Sequence, residues 1–129
     1  MYKKRIKSAK LNRGDNLKIY TEYRNGILFV RLNGNLTKDT VGKLNDKVTN
    51  LINKVGIRNV VFNVEKLKRI DFKGINSLLY NYELVKKNEG RIFLCGNNDK
   101  INKALKGGHV FQYISEISDE LCAMNLMKG

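Results

Sequence analysis

Alternation of apolar and polar residues opens the readable part of the chain. LKIYTEY (17–23) and ILFVRLNG (27–34) each turn every second side chain to one face, the pattern of half-buried strands. In the second run Leu28, Val30 and Leu32 share one face, while Ile27, Phe29 and Arg31 share the other. Asn25-Gly26 stands between them, and both residues tolerate positive φ, which predicts a hairpin turn. From Thr37 the period lengthens. Val41, Leu44, Val48, Leu51, Ile52 and Val55 recur at helical spacing, with Gly56 placed to end the helix. RNVVFNV (58–64) is a short, nearly continuous apolar run, as buried parallel strands tend to be. A loop, EKLKRID, is expected next, leading into a second helix over 74–88 closed by Gly90.

RIFLCG (91–96) then reads as a strand, NNDKINKALKG (97–107) as a short helix and FQYIS (111–115) as a last short strand. SDELCAMNLMKG (118–129) reads as a final helix, with Ser118 as N-cap and Asp119 and Glu120 in the first turn, where the helix dipole favours negative charge. Strands and helices that alternate after a hairpin require crossover connections. The fold class expected is therefore α/β: a single domain with a mixed β-sheet, an N-terminal hairpin and about four helices packed mainly on one face. Residues 1–14 read as a basic tail ending at the turn signal Gly14-Asp15, and residues 15–129 as the domain.

Composition narrows the function. With 42% hydrophobic and 29% charged residues, the chain of 129 residues has the make-up of a globular protein. No apolar run approaches the ~20 residues of a membrane helix. MYKKRIKSAK lacks the apolar core of a signal peptide, so a cytoplasmic location without membrane insertion is expected. Cys95 and Cys122 have no metal or redox spacing and read as small core residues. His109 is the single histidine, which leaves no His-based triad or multi-His metal site. With no nucleophile–base pair and no metal cluster, neither an enzyme nor a cofactor is expected. The net charge of +13 raises nucleic-acid binding as a reading. Yet Lys3, Lys4, Arg5, Lys7, Lys10 and Arg13 carry much of it within the tail, and the rest is spread, so a solvated lysine surface is the simpler account.

The most specific stretch is RIDFKGINSLL, Arg69 to Leu79. Asp71 stands where a helix N-cap would, its carboxylate accepting a backbone N–H and the capped turn presenting residues 72 and 73 outward. Setting Ile75, Leu78, Leu79, Tyr82 and Val85 inward at 100° per residue leaves Ser77, Tyr80, Asn81 and Leu84 outward. Tyr80 and Leu84, at i and i+4, would then make a small exposed apolar patch near Gly74. Lys66, Lys68, Arg69 and Lys73 crowd the start of the helix, where the dipole disfavours cations. They form a candidate anion site, or else a set of side chains splayed into water. No Gly-rich phosphate cradle followed by Lys-Ser/Thr is present.

The order of elements, with ILFVRLNGNLTKDT, IRNVVFNVEKLKRID, the D-x-x-G-I-x-x-L-L of residues 71–79, RIFLCG and HVFQYI, resembles the STAS domain over residues 17–126. This is the fold of bacterial anti-sigma factor antagonists. In phosphoregulated members the segment reads Asp-Ser-Ser-Gly or Asp-Thr-Ser-Gly. The hydroxyl before the Gly is phosphorylated by the partner, an anti-sigma factor that is also an ATP-binding serine kinase. Asp71 and Gly74 match, and Phe72 and Lys73 do not. Lys73 has no hydroxyl, and its charge is opposite to the roughly −1.5 to −2 of a phosphoserine. The resemblance implies a non-enzymatic antagonist that sequesters an anti-sigma factor and frees a sigma factor without the usual switch, Ser77 being the substitute acceptor to test. It implies a partner surface of Asp71, Phe72, Lys73, Gly74, Ser77, Tyr80, Asn81 and Leu84. The alternatives are a STAS subunit of a transport or signalling scaffold and a nucleic-acid-binding protein using the basic tail.

Overall fold

The hairpin forms where the alternation places it. In the computed structural model, which describes residues 16–127, β1 (Leu17–Arg24) and β2 (Ile27–Leu36) pair antiparallel. Asn25 and Gly26 turn between them with φ of 54° and 78°. The chain crosses over through α1, which runs Val41–Leu44, continues as a π-helical stretch Asn45–Thr49 and finishes as Asn50–Val55. Gly56 ends it in the left-handed conformation, the role its position suggests. There follow β3 (Asn59–Ile70), α2 (Phe72–Lys87), β4 (Arg91–Cys95), α3 (Asp99–Gly107), β5 (Ser115–Ile117) and α4 (Glu120–Leu126). The five-stranded sheet has the order β1-β2-β3-β4-β5, parallel from β2 onward, so each strand lies beside its predecessor in the chain. The result is an α/β domain with a mixed sheet, an opening hairpin and four helices among the described residues.

The sheet separates two cores, as the two faces of β2 predict. On the larger side Leu28, Val30, Leu32, Val60, Phe62 and Leu94 meet Leu44, Val48, Ile52, Leu78, Val85, Ile101 and Leu105 of α1–α3. On the smaller side Ile27, Phe29, Val61 and Cys95 lie under Ala123 and Met127. Burial pushes the Cys95 thiol up to about 12, which leaves it protonated in the core. Arg31 holds α4 to this face. Its Nε and Nη2 donate to the two carboxylate oxygens of Glu120 at 2.8 and 2.7 Å, and Nη2 also reaches Glu22 at 2.8 Å. Asn63 Nδ2 adds a bond to Glu120 at 2.9 Å. These contacts, led by those to Glu120, raise the Arg31 pKa, and the Arg31 hydrogen bonds lower that of Glu120.

Several boundaries differ from expectation. The segment EKLKRID is not a loop: β3 continues to Ile70, pairing with β2 through Leu36↔Ile70 after its pairing with β4 ends at Asn63↔Cys95. Two register shifts along this extension break the alternation, so Val64, Leu67 and Ile70 all serve the larger core although they are spaced three positions apart. The second helix begins at Phe72 rather than Gly74. The strand expected at 111–115 falls at Ser115–Ile117, and Val110–Gln112 is a 3₁₀ turn. Asp119, not Ser118, caps the last helix, accepting from the Cys122 N–H at 2.8 Å. Among the described residues, that helix alone packs on the second sheet face. No helix among the described residues is long and apolar enough to span a membrane. The expected basic tail, residues 1–14, lies outside the described residues.

Candidate partner-docking site

Asp71 converts the end of a strand into the start of a helix. It leaves β3 extended, and its Oδ1 accepts the Gly74 N–H at 2.9 Å, the N-cap bond expected of it. Its Oδ2 accepts the Lys38 N–H at 2.9 Å, so one carboxylate ties α2 to the loop after β2. Burial raises the Asp71 pKa, but the N–H groups of Gly74, Lys38 and Lys73 and the nearby Arg69 outweigh it, and the net direction is down. Gly74 is dictated by space. A Cβ there would lie 2.2 Å from Leu36 O and 2.7 Å from Ile70 Cγ1, so only glycine lets the helix start this close to the strand ends. Asp71 and Gly74 thus fix the turn, and the two residues between them point outward. Phe72 is 72% exposed, and Lys73 is exposed.

The outward face expected for α2 is only partly right. Tyr80 is exposed at 52%, but Ser77, Asn81 and Leu84 are buried, at 8%, 0% and 9%. The helix lies in the angle between the sheet and α1, so more than one apolar stripe is covered. Asn81 is accommodated by hydrogen bonds: Thr49 Oγ1 donates to Asn81 Oδ1 at 2.9 Å, and Asn81 Nδ2 donates to the Ser77 backbone O at 2.8 Å. Ser77 Oγ is buried, which removes the accessibility a phosphoacceptor needs. The expected Tyr80–Leu84 patch reduces to Tyr80.

The cations are also placed differently. Lys66, Lys68 and Arg69 are strung along the end of β3 instead of encircling the helix start, and Lys66 lines a cleft with Tyr20, Arg31 and Asn63 on the second sheet face. Arg69 acts on Asp71, and Lys73 projects from the first turn of α2. The Gly74 N–H that could greet an external anion is already engaged by Asp71. Sequence reasoning missed a groove of about 360 Å³ beside this turn. Phe72, Ile75, Asn76 and Leu79 form one wall, and Ala104 and Gly107 of α3 form the other. Its only advance signal is the run of small residues closing α3, where a Cβ on Gly108 would lie 2.7 Å from Ile75 Cγ2. A capped carboxylate, an exposed aromatic ring and an exposed ammonium group thus stand together at this end of the molecule.

Comparison with known proteins agrees with this architecture. The family model described as the STAS domain matches residues 18–123. The anti-sigma F factor antagonist of Paenibacillus polymyxa is 25% identical over 109 residues, which is 84% of this chain and 93% of that protein. An anti-sigma factor antagonist from Mycobacterium paratuberculosis superposes with a TM-score of 0.78 at 13% identity, over 89% of this chain and 97% of that one. The unphosphorylated antagonist SpoIIAA, solved from Bacillus in phosphorylated form as well, gives 0.68 at 20% identity, over 88% and 98%. These solved structures share the fold, and the family match spans nearly all of the described sheet and helices; the chain belongs to the STAS domain family.

Proposed function

We propose that this chain is a partner-binding regulator, an anti-sigma factor antagonist without catalysis of its own, which sequesters an anti-sigma factor and so releases a sigma factor. The observation that carries the reading is the start of α2. Asp71 and Gly74 are consumed in building the turn, while Phe72 and Lys73 face water beside the exposed Tyr80. An exposed aromatic ring next to a charge is the composition of an interface anchor. Ser77, Asn81 and Leu84 contribute from behind, by fixing α2 against α1. The names of the relatives support the partner class.

The partner is an anti-sigma factor of the ATP-binding serine kinase type, and the encounter takes place in the cytoplasm. Phosphoryl transfer finds no acceptor here. Residues 65–76 contain no Ser or Thr, and the Ser77 hydroxyl is buried. The complex is then governed by the amounts of the two proteins and not by phosphorylation. The test is to use the chain as bait in source-cell extract at moderate salt, to identify what is retained by mass spectrometry, and to measure the purified pair by calorimetry with and without ATP. Saturable binding of an ATP-binding anti-sigma factor, with no phosphate on the bait, is expected. Recovery of transport subunits instead, or phosphate on the chain, overturns the proposal.

A further inference from the structure

We infer that the groove between α2 and α3 receives an apolar side chain carried on an acidic segment of the partner. The inference deepens the proposed function and rests on it for the partner's identity, though not for the chemistry of the groove. Its walls are mainly apolar: Ile70, Phe72, Ile75 and Leu79 face Ala104 across about 360 Å³, Asp71 and Asn76 are the polar lining, and Gly107 and Gly108 keep the α3 side low. No large hydrophobic side chain among the described residues is more exposed than Phe72, which stands at the rim. A pocket between packed helices with an exposed ring at its edge is the setting in which a single inserted side chain contributes most to an interface.

Charge selects the segment that carries it. Arg69 and Lys73 lie at one end of the groove, and the Lys38 backbone is bonded into the same turn. Lys103 and Lys106 are exposed on α3, each next in sequence to a lining residue. The acids at this end are Asp71, both of whose oxygens accept backbone N–H groups, and the exposed Asp39 beside Lys38, against the cations Arg69, Lys73 and Lys38. The acids of the two helices themselves are Glu83, beyond Leu79, and Asp99 at the opposite end of α3. Lys73 also meets the positive end of the α2 dipole, which makes an external carboxylate its most favourable neighbour. A nucleic acid would satisfy the charge but leave the aliphatic walls unfilled, so an acidic peptide bearing an aromatic or aliphatic anchor fits better.

The experiment titrates the ¹⁵N-labelled full chain at about 0.15 M salt, where long-range attraction is screened. The probes are three synthetic peptides of about a dozen residues: one with a Phe among Glu and Ala, one with Lys for every Glu, and one with Ala for the Phe. A single-stranded oligonucleotide serves as a fourth. The first peptide should shift the amides of Ile75, Leu79, Ala104 and Gly107, and the others should not. Gly107→Leu, whose Cβ would enter open space, should fill the groove and weaken that peptide by about tenfold or more while leaving the rest of the spectrum in place. Lys73→Glu combined with Lys103→Glu should invert the preference between the acidic and basic peptides. The inference is overturned if the acidic peptide leaves these amides unmoved, if Gly107→Leu binds it equally well, or if the oligonucleotide displaces it from them. A groove that takes the peptide when extract yields no anti-sigma factor overturns the proposed function alone; an anti-sigma factor that binds Gly107→Leu as tightly as wild type overturns the groove alone.

Discussion

Asp71 and Asp119 cap α2 and α4 with the same chemistry. Each is extended, and each accepts the N–H three residues on, at 2.9 and 2.8 Å. The first turns of the two helices differ. After Asp119 comes Glu120, which turns toward the sheet and is held by Arg31 and Asn63. After Asp71 come Phe72 and Lys73, which turn to water. A helix start whose charges are matched within the chain acts as a fastener. One that leaves a ring and an ammonium group facing water is the start that the proposed function assigns to a partner.

The largest expected effect comes from erasing the turn that makes the two starts alike. Gly74→Ala drives a methyl into Leu36 O and should cost about 2–3 kcal/mol, read from chemical denaturation. It should also displace Phe72 and Lys73 and so impair partner binding. Breaking the fastener comes next. Arg31→Ala leaves Glu120 without its paired cation and Glu22 with Arg24 alone, and should cost about 1–3 kcal/mol with partner affinity unchanged. An equal loss of affinity would show that the two ends are coupled.

Asp71→Ala removes bonds to Gly74 and Lys38 and should cost about 1–2 kcal/mol. Acid titration sharpens this step. Asp71 and Glu120 both have lowered pKa values when folded, so the unfolded chain binds more protons at low pH. Their stabilisation is present above the ordinary values of 3.8 and 4.5 and is lost as pH falls through the lower folded values. Denaturation midpoints should therefore decline below about pH 5, less steeply in Asp71→Asn. The smallest stability effects belong to the outward pair. Phe72→Ala and Lys73→Glu should stay within about 0.5 kcal/mol of wild type by thermal melting. Lys73→Glu should still weaken the partner by more than about tenfold in calorimetry.

Local chemistry was legible in the sequence wherever one residue decides a backbone conformation. Asn25-Gly26, Gly56 and Asp71 each act as their type requires, and the two faces of β2 sort Leu28 and Val30 from Ile27 and Phe29. Periodicity failed where tertiary context changed the period. Register shifts hid the extension of β3, because Leu67 is three residues from both Val64 and Ile70 and so out of step with them. In α2 a single inward stripe at 100° per residue left Ser77 and Asn81 facing solvent, but Thr49 on α1 supplies the partner that makes Asn81 a core residue. No pattern within α2 announces a hydroxyl that far upstream. The capped turn was therefore readable at Asp71 through Gly74, and the helix behind it was not. The α2–α3 groove has no sequence pattern of its own, since it exists only where two helices meet.

The spatial order of the sheet has a consequence for synthesis. Because every strand pairs with the one made just before it, the sheet can grow on the ribosome from the hairpin outward, and α1–α3 can cover the first face in passing. The second face has to wait. Until residues 120–127 emerge, Ile27, Phe29 and Val61 stay wet and Arg31 lacks Glu120. A chain stalled or trimmed before that point would present an oily surface with a nearly complete sheet behind it, so the last two turns of helix decide whether the product is a monodisperse protein or an adhesive one.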